Sequence, residues 1–531
     1  MWCTLGFDVG TSSSKGVLVD QDGTVVGTAV RVHEVDRPAV GHVEQDPRVW
    51  WDEFVAVTRE LLTAHPDVEV VAVGVSGMGP CLALADEYDE PVRPAVLYGV
   101  DTRAVEEIAA LTAELGAGAI TRIGGSALTT QAVGPKLEWV AVHEPDVFGA
   151  ARRMYMPASW IVRRLTGAYV LDHHSASQCT PLYDIGAHAW HRPWTDRIAQ
   201  HVELPELLWA GDHAGDVTTA GADATGLPAG VPVVCGTIDA WAEAASVGAL
   251  REGDLMLMYG TTMFLVATVT EPIRTPSMWT TLGLRDGVSC LAGGMATSGA
   301  VAAWVRDLAG GGRQGGPDFG TLTEEARASG PGANGLLMLP YFAGERTPIM
   351  DPDARGVVAG LTLSTSRGDL YRAALEATAH GVRHNVDTMR DAGADIRRIV
   401  AAGGGTQGGL WIQIVSDTTG LDQVVPRTTV GAAYGMAWTA ACARATAAGV
   451  DAPDIDEWNP AERVVVPDPT TRDRYDADHQ RFLDLYAATA PIVHDLVATE
   501  RATRTRAAAI TADPSGHVRT DHHHRLQETT R

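Results

Sequence analysis

The fold of the whole chain can be inferred from residues 5–20, LGFDVGTSSSKGVLVD. Leu5, Phe7 and Val9 alternate with smaller or polar residues, which is the pattern of a short strand. The apolar run at 17–19 follows a turn of small polar residues and predicts the returning strand. We therefore expect the chain to open with a β-hairpin.

The turn of this hairpin has the composition of a phosphate-binding loop. Gly10 lets backbone amides approach an anion, Lys15 adds a positive charge, and hydroxyl donors stand at Thr11, Ser12 and Ser13. Asp8 would repel a bare phosphate, so its place beside the turn makes sense if a cation such as Mg²⁺ lies between them. The Walker pattern GxxxxGK[ST] is absent. An ordinary Ser/Gly hairpin turn remains the alternative.

Length and composition restrict the class of protein. The chain has 531 residues, of which 45% are hydrophobic and 20% charged, as expected for a soluble globular protein of about two to four domains. The net charge of -25 and the pI near 5.0 argue against a nucleic-acid partner. An acidic protein can still bind ATP, because such a site needs only local donors and a metal.

Cysteine usage and hydropathy predict the compartment. The six cysteines show no CxxC spacing and are expected to be reduced thiols. The first residues already read as a strand, so no signal peptide is expected. No apolar run reaches the roughly 18 residues of a membrane span. We therefore expect a cytoplasmic protein without a membrane partner.

Polar residues follow two predicted strands of the first half. The buried strand at 68–76 runs into Met78 and Gly79, and the strand within 91–103 runs into Tyr98, Asp101 and Arg103. Loops at the carboxyl ends of strands are where α/β proteins contact small molecules. Asp101 and Arg103 could hydrogen-bond the hydroxyls of a polyol, or they could form a surface ion pair.

Asp239 stands where a strand gives way to a helix. A short apolar strand at 231–235 is followed by Gly-Thr-Ile-Asp and then by the helical pattern AWAEAASVGAL. Asp239 could cap that helix through its side chain. It could also point into a cleft and accept a proton from a substrate hydroxyl.

Two segments of the second half echo segments of the first. Residues 255–269, LMLMYGTTMFLVATV, read as strand, turn and strand, with Gly260, Thr261 and Thr262 in the turn. Residues 396–406, IRRIVAAGGGT, are an apolar strand that runs into glycines, as 68–79 does. We therefore expect two related α/β halves that each present a phosphate loop to a shared cleft.

The motifs FDVGTSSSKG, EQDPRVWW, PKLEW, GTID, YGTT, LPYFAGERTP and AAGGGTQGGLWIQIVSDTTG, followed by GAAYGMA, occur in this order. With them the chain resembles the FGGY family of carbohydrate kinases, and xylulokinase-like members most closely, over roughly residues 3–495. The resemblance implies an α/β fold of two ribonuclease H-like domains of the actin/hexokinase/Hsp70 type with a catalytic cleft between them. The implied domains are 1–245, with the sugar site and first phosphate loop, and 246–500, with the ATP site. Residues 501–531 lack periodicity and are predicted to be a disordered tail.

The same resemblance implies ATP and Mg²⁺ as cofactors and assigns the site residues. Asp239 matches the catalytic base, and Asp8 would lie near Mg²⁺ together with Asp239. Nucleotide phosphates would be held by Gly10, Thr11, Ser12, Ser13 and Lys15 and by Gly260, Thr261 and Thr262. The adenosine would lie against Gly403, Gly404, Gly405 and Gln407. Glu345 and Arg346 are expected to be a structural pair near the cleft.

The sequence departs from xylulokinases at the sugar. Such kinases usually carry Gln-Met-His after the third-strand Ser-Gly, where this chain has Met78-Gly79-Pro80, and Tyr98 replaces a usual tryptophan. The expected acceptor is a ketopentose such as D-xylulose, read by Met78, Gly79, Tyr98, Asp101, Arg103 and Asp239. Ribulose, erythritol, glycerol or xylitol are alternative acceptors.

Two further alternatives concern the protein class and its assembly. A non-catalytic actin- or Hsp70-like ATPase would need the same phosphate loops but no carboxylate such as Asp239. The missing GxGxxG counts against a dinucleotide-dependent oxidoreductase. A homodimer is a further alternative to a single chain.

Overall fold

The computed structural model describes residues 1–310 and 316–512. Up to residue 238 the strands are β1 (Trp2–Val9), β2 (Ser13–Asp20), β3 (Val25–Val32), β4 (Glu44–Gln45), β5 (Glu69–Gly77), β6 (Ala83–Ala85), β7 (Ala95–Val96), β8 (Arg153–Tyr155), β9 (Val170–Asp172), β10 (Tyr183–Asp184), β11 (Ala189–Trp190), β12 (Glu206–Leu208), β13 (His213–Asp216), β14 (Pro232–Val234) and β15 (Thr237–Ile238). The α-helices of this part and the one that follows it are α1 (Pro47–Ala64), α2 (Val105–Leu115), α3 (Ala117–Gly124), α4 (Val133–His143), α5 (Pro145–Ala150), α6 (Pro157–Thr166), α7 (His173–Ser177), α8 (Arg192–Ile198), α9 (Thr219–Thr225) and α10 (Asp239–Ser246).

The second half has its own strands and helices. Its strands are β16 (Asp254–Tyr259), β17 (Met263–Val269), β18 (Trp279–Leu282), β19 (Ser289–Met295), β20 (Leu337–Leu339), β21 (Val357–Ala359), β22 (Arg398–Ala402), β23 (Gln423–Pro426) and β24 (Ala461–Val465). Its α-helices are α11 (Gly299–Leu308), α12 (Phe319–Ser329), α13 (Arg367–Asp391), α14 (Gly409–Thr419), α15 (Ala432–Ala447), α16 (Ile455–Trp458) and α17 (Arg472–Ala512). Short 3-10 helices lie at Ala333–Gly335, Gly404–Gln407 and Pro469–Thr471.

Two mixed sheets repeat the same topology. The first has the order β13-β14-β5-β1-β2-β3 with β15 paired to β5, and the second has the order β18-β19-β17-β16-β22-β23-β24. In each, an antiparallel hairpin (β1–β2 or β16–β17) pairs in parallel with a later strand (β5 or β22). The two predicted hairpins and the predicted echo of the third strand are confirmed, and the chain forms the two related α/β halves that were expected.

The register of the two hairpins also shows where they differ. Asp8 on β1 is opposite Lys15 on β2, next to the first turn. At the matching place beside the second turn, Met258 on β16 is opposite Phe264 on β17. The two halves therefore share backbone geometry but differ in charge at their turns.

Helix α1 shows how the outer faces of the first sheet are covered. Pro47 occupies the first turn, and the side chain of Asp46 accepts a hydrogen bond from the backbone N–H of Arg48, so the helix has a capped start. Its buried residues, Trp50, Phe54, Val57 and Leu61 among them, recur at helical spacing. A Cβ on Gly16 of β2 would lie 2.5 Å from Val57, so the helix sits directly on the hairpin.

Two helices fill the space between the halves. A Cβ on Gly435 of α15 would lie 1.9 Å from the carbonyl oxygen of Ala242 on α10, so these helices touch backbone to backbone. A Cβ on Gly6 of β1 would likewise lie 1.8 Å from the carbonyl oxygen of Ala433. Helix α15 therefore packs on the first sheet although it comes late in the chain, and the expected boundary at 245/246 falls within the last turn of α10.

The end of the chain differs from the prediction. Helix α17 continues to Ala512, so residues 501–512 are helical and a disordered tail does not begin at Arg501. Arg501 donates a hydrogen bond to Asp353 at 3.1 Å. The segment 507–512, AAAITA, has a high intrinsic helix propensity that a search for apolar periodicity does not register. Residues 513–531 lie outside the described part.

In the described ranges, no helix combines the length and hydropathy that crossing a membrane would require.

Candidate active site

A cavity of about 290 Å³ opens between the two halves. The first half contributes Asp8, Lys15, Asp239 and Glu243 to its lining, and the second half contributes Met258, Gly403 and the segment 429–433. Helices α10 and α15 both begin at this cavity, and a carboxylate lies at each start: Asp239 at the N–H of Ala240, and Glu243 at the N–H of Ala432. The N–H groups at these two helix starts make the lining favourable for negative charge.

Asp8 and Lys15 are held at the end of the first hairpin. The Ser76 hydroxyl on β5 donates a hydrogen bond to Asp8 at 2.8 Å. Burial raises the pKa of Asp8 to about 6, although Ser76 and Lys15 both lower it. Lys15 Nζ donates to the carbonyl oxygen of Val430 at 3.0 Å and so reaches across to the second half. The hydrogen bond from Ser76 and the charge of Lys15 therefore offset only part of the effect of burial on the pKa of Asp8.

The first turn has the geometry of an anion cradle. The N–H of Gly10 donates to the carbonyl oxygen of Ser13 at 3.0 Å, and a Cβ on Gly10 would lie 2.9 Å from the same oxygen. Within the described part of the chain, the N–H groups of Thr11 and Ser12 have no hydrogen-bond partner. The Thr11 hydroxyl lies 2.8 Å from the hydroxyl of Tyr98. The turn therefore keeps donors free for a ligand.

Asp239 is the first residue of α10 and lines the cavity. One carboxylate oxygen accepts a hydrogen bond from the N–H of Ala240 at 2.7 Å, so it also serves the helix terminus. Burial, and then the nearby charge of Asp8, raises the pKa of Asp239 well above its usual range. Asp239 therefore fits both interpretations from the sequence: its carboxylate bonds the start of the helix and also lines the cleft.

Glu243 is a cavity residue that sequence reasoning missed. It lies one turn after Asp239 on α10, and burial followed by the charge of Asp8 raises its pKa to about 7. Its position four residues after Asp239 places both carboxylates on one helix face, which was the available signal. Lys15 lowers the pKa of Glu243, so one lysine faces three carboxylates here.

The second turn is fixed by the start of α11. The N–H of Gly299 donates to the carbonyl oxygen of Gly260 at 3.0 Å, and the N–H of Ser298 donates to that of Thr261 at 3.0 Å. The N–H of Thr262 has no hydrogen-bond partner within residues 1–310 and 316–512. The turn therefore resembles the first one in keeping donors free.

The glycines expected to face adenosine follow β22. Gly403 has φ +85°, and a Cβ there would lie 2.6 Å from the carbonyl oxygen of Tyr259, so the chain passes close over the end of β16. Gly404 and Gly405 continue into the 3-10 helix that ends at Gln407. A Cβ on Gly404 would meet open space. Gly403 is the member of this set that lines the cavity.

Asp101 and Arg103 are placed differently from both expectations. Their side chains are fully buried and form an ion pair at 2.7 Å, and Arg103 also bonds Glu44 at 2.7 Å. Asp101 additionally accepts from the N–H of Val43 at 2.7 Å. The pair is neither on the surface nor free to contact a polyol. It fixes the loop that carries Tyr98.

The other residues expected to line the sugar site, Met78, Gly79 and Tyr98, lie in different surroundings. The Met78 side chain is fully enclosed in the core of the first half and presents no surface to a ligand. Gly79 packs against the residue before the catalytic candidate, since a Cβ there would lie 2.6 Å from Ile238. Tyr98 is half-buried, and the charges of Asp239 and Arg346 both act on its pKa, which burial raises. Tyr98 therefore lies near Asp239.

Arg346 and Glu345 are the residues expected to form a structural pair near the cleft. One terminal nitrogen of Arg346 donates to the carbonyl oxygen of Met295 at 2.7 Å. Its Nε is buried and has no hydrogen-bond partner among the described residues. Glu345 instead accepts hydrogen bonds from the N–H groups of Ala296 and Arg346 at 2.7 Å. Glu345 and Arg346 therefore interact as an adjacent pair, and the charge of Arg346 also acts on the pKa of Tyr98.

The carboxylates of this cavity are a candidate cation site. Within residues 1–310 and 316–512, no three His, Cys, Asp or Glu side chains converge as a ready-made metal site. Burial nevertheless raises the pKa of both Asp8 and Asp239, and the charge of Asp8 raises the pKa of Asp239 further. This arrangement fits Mg²⁺, which takes one or two carboxylates and completes its shell with water and phosphate oxygens.

Comparisons with known proteins cover almost the whole chain. The family model "FGGY family of carbohydrate kinases, N-terminal domain" matches residues 3–248, and the corresponding C-terminal model matches residues 255–444. The crystal structure of xylulose kinase from Rhodospirillum rubrum is 32% identical with a TM-score of 0.85, over 93% of this chain and 100% of that one. Xylulose kinase from Escherichia coli is 28% identical over 92% of this chain and 99% of that protein. Glycerol kinase from Corynebacterium efficiens is 29% identical over 82% of this chain and 88% of that protein.

Proposed function

The chain belongs to the FGGY family of carbohydrate kinases, and we propose that it transfers the γ-phosphate of ATP to a hydroxyl of a ketopentose, with D-xylulose as the first choice. The observation that carries the proposal is Asp239, a half-buried carboxylate that lines the cavity between the halves together with Asp8. The likeness to xylulose kinases over more than nine-tenths of the chain supports the choice of sugar.

Asp239 is the proposed general base. A raised pKa makes a carboxylate a stronger proton acceptor, which suits removal of a proton from a sugar hydroxyl as it attacks phosphorus. Its hydrogen bond from the N–H of Ala240 fixes the carboxylate at the start of α10. Phosphoryl transfer depends mainly on such positioning and on charge stabilisation.

The two turns are the proposed phosphate clamp. The free N–H groups of Thr11 and Ser12 would bind phosphate oxygens on one side and that of Thr262 on the other. Bound Mg²⁺ would neutralise charge on the phosphates, and Asp8 and Asp239 would hold it. Gly403 to Gly405 and Gln407 would support the adenosine.

Tyr98, Gly79 and Arg346 are proposed to form the sugar wall with Asp239. Tyr98 supplies a hydroxyl, and the nearby charge of Arg346 acts on it. Gly79 packs closely against Ile238, where a Cβ would lie 2.6 Å from that side chain. We assign Asp101 and Arg103 a supporting role, because Arg103 forms ion pairs with both Asp101 and Glu44.

Location and assembly are part of the same proposal. All six cysteines are free thiols, as expected in the reducing cytoplasm where ATP is available. A homodimer remains a prediction that light scattering of the purified chain would test.

A coupled ADP-release assay with Mg-ATP tests the function. The acceptors would be pentuloses, hexuloses, pentitols, tetritols, glycerol and gluconate, each also assayed with Asp239→Asn as the background. We expect D-xylulose to give the highest kcat/KM. A much better glycerol or gluconate would correct the substrate and leave the kinase class intact. If no acceptor raised ADP release above background, the ATPase alternative would replace the kinase proposal.

A further inference from the structure

The last helix of the described chain packs on a loop of the second half. Helix α17 begins at Arg472, beyond residue 444, where the C-terminal family model ends. None of its described residues lines the cavity that holds Asp8 and Asp239. It contacts residues 341–353, which lie between β20 and β21 and which we call the support loop.

An apolar cluster seats both limbs of the support loop on α17. The ring centroid of Tyr341 lies 5.6 Å from that of Tyr486 and 6.0 Å from that of Phe482, both on α17. Phe482 is fully buried, and Ile349 from the other limb of the loop packs against the same cluster. The position of the loop therefore depends on the position of the helix.

Polar side chains of α17 hold the far end of the support loop. The Tyr486 hydroxyl donates a hydrogen bond to one carboxylate oxygen of Asp351 at 2.7 Å, and Nε2 of His494 lies 2.7 Å from the same oxygen. Burial alone would raise the pKa of Asp351, but the hydrogen bonds from His494 and Tyr486 keep it below its usual range. Arg501 donates to Asp353 at 3.1 Å. Asp351 is thus fixed from α17 by two donors.

The support loop is in turn bonded to the end of β19. Its base is closed by the N–H of Glu345, which donates to the carbonyl oxygen of Asp351 at 2.8 Å. The Glu345 carboxylate is buried and accepts a hydrogen bond from the N–H of Ala296 at 2.7 Å. The Thr347 hydroxyl accepts another from the N–H of Gly294 at 2.7 Å. A displacement of Asp351 would therefore reach the residues that follow β19.

These residues lead directly to the second phosphate turn. Ser298 and Gly299 come just after Ala296, and their N–H groups donate to the carbonyl oxygens of Thr261 and Gly260, each at 3.0 Å. An unbroken series of hydrogen bonds and short backbone segments thus connects α17 with residues 260–262.

We propose that α17 positions the second phosphate turn from outside the cleft, with Tyr486 and His494 as positioning residues. The inference rests on the proposed function, because it takes residues 260–262 as binders of nucleotide phosphate. Donors that bind a ligand must be held to within about 0.5 Å of their working geometry. Loss of the two bonds to Asp351 should therefore weaken contacts with the phosphates and spare those with adenosine.

The test compares the double variant Tyr486→Phe/His494→Ala with the unchanged full-length protein. The double variant removes both donors to Asp351 and keeps the ring that packs on Tyr341. Isothermal titration calorimetry with a non-hydrolysable Mg-ATP analogue should show binding weakened about two- to tenfold, the scale of coupling through a contiguous network. AMP, which lacks the β- and γ-phosphates, should bind with unchanged affinity.

Hydrogen exchange of peptides that span residues 256–264 gives a second measurement, which needs no ligand. Exchange at the turn should be faster in the double variant. The matched control is Tyr88→Phe/His213→Ala, which changes an exposed tyrosine and an exposed histidine of the first half and should alter neither measurement. If the double variant unfolds, Tyr486→Phe alone removes one donor and should show a smaller loss for the same analogue.

Three results would overturn the inference. Unchanged exchange at the turn together with unchanged affinity for the analogue would show that α17 does not position it. Equal weakening of the analogue and of AMP would indicate a general loosening of the protein. Faster exchange without loss of affinity would show that the position of the turn does not matter for phosphate. If the unchanged protein bound no Mg-ATP analogue, the proposed function would be rejected instead, and exchange at the turn would decide the role of α17.

Discussion

The hydroxyl groups of Tyr98 and Thr11 lie 2.8 Å apart. Tyr98 belongs to the wall proposed to face the sugar, and Thr11 belongs to the turn proposed to hold phosphate. One hydrogen bond therefore joins the two ligand sites. The buried ion pair of Asp101 and Arg103 holds the loop from which Tyr98 reaches that turn.

Removing this hydroxyl should affect both ligands. We expect Tyr98→Phe to lower kcat/KM for the sugar by up to about tenfold, the range for one lost hydrogen bond. Thr11→Val should do the same, and the double variant should be little worse than either single one if the two hydroxyls act as a pair. Steady-state kinetics measure this, with the exposed Tyr88→Phe as the matched control. Additive losses would mean that the hydroxyls act separately.

Asp239→Asn should remove activity without unfolding the protein. Loss of a general base costs at least about two orders of magnitude in kcat. Because Asp239 is a half-buried carboxylate whose charge is disfavoured by its surroundings and by Asp8, its neutralisation should leave Tm unchanged or raise it. Kinetics and thermal melting check both parts, and Asp286→Asn on the exposed surface is the control. Turnover near the normal rate would reject Asp239 as the base.

Glu243 should make the stability of the ligand-free protein depend on pH. Its folded-state pKa of about 7 is above the ordinary 4.5, so its stabilising contribution is complete below about pH 4.5 and is lost as pH rises through 7. Glu243→Gln should flatten the fall of Tm between pH 5 and 8 and be more stable at pH 8 by roughly 1–3 kcal/mol. Asp8, with a pKa of about 6, keeps a residual slope in the variant. Identical curves for both proteins would contradict this.

Gly435→Ala should separate the central helices. Its Cβ would lie 1.9 Å from the carbonyl oxygen of Ala242, so α10 and α15 must move apart and stability should fall by more than about 1 kcal/mol. Gly118→Ala is the matched control, because that helical glycine has nothing within 4 Å. The control should gain up to about 1 kcal/mol. Chemical denaturation compares the two, and equal effects would show that the close approach is unimportant.

Arg103→Met should act as a structural change. Truncating a buried ion pair leaves Asp101 and Glu44 charged without their partner, at a cost of about 3–5 kcal/mol. The exposed pair of Arg31 and Glu60 provides the control, since Arg31→Met should cost less than about 1 kcal/mol. Denaturation curves test this. A large rise in the sugar KM with unchanged stability would instead make Arg103 a ligand contact.

Local pattern predicted the parts of the site that lie close together in sequence. The first turn, the second turn and Asp239 each follow a strand whose alternation or apolar run is visible within ten residues, and the structure places them at the carboxyl ends of those strands. Glu243 was missed because a charged residue in an alanine-rich helix resembles an ordinary solvent-facing one. The raised pKa of Glu243 depends partly on Asp8, which comes close to it only in the folded chain.

Long-range partners explain the other differences. Arg103 could not be assigned from its own segment, because Glu44 comes 59 residues earlier. Met78 follows a strand as a ligand contact would, but its side chain is enclosed by the core around β1 and β5. The contact between α15 and the first sheet joins residues far apart in sequence. A domain boundary placed at one residue number therefore separates α15 from the sheet on which it packs.

The two hairpins share one backbone pattern, yet Asp8 and Lys15 in one correspond to Met258 and Phe264 in the other. Because the backbone is repeated, each half presents a similar turn to the cleft. By shape alone, the bound molecules could therefore enter the cleft in either orientation. Turned end for end, the phosphates would meet a thioether and a phenyl ring, which supply neither a charge nor a strong hydrogen bond. These four side chains thus make one orientation of the bound molecules more favourable than the other in a cleft whose backbone is nearly symmetric.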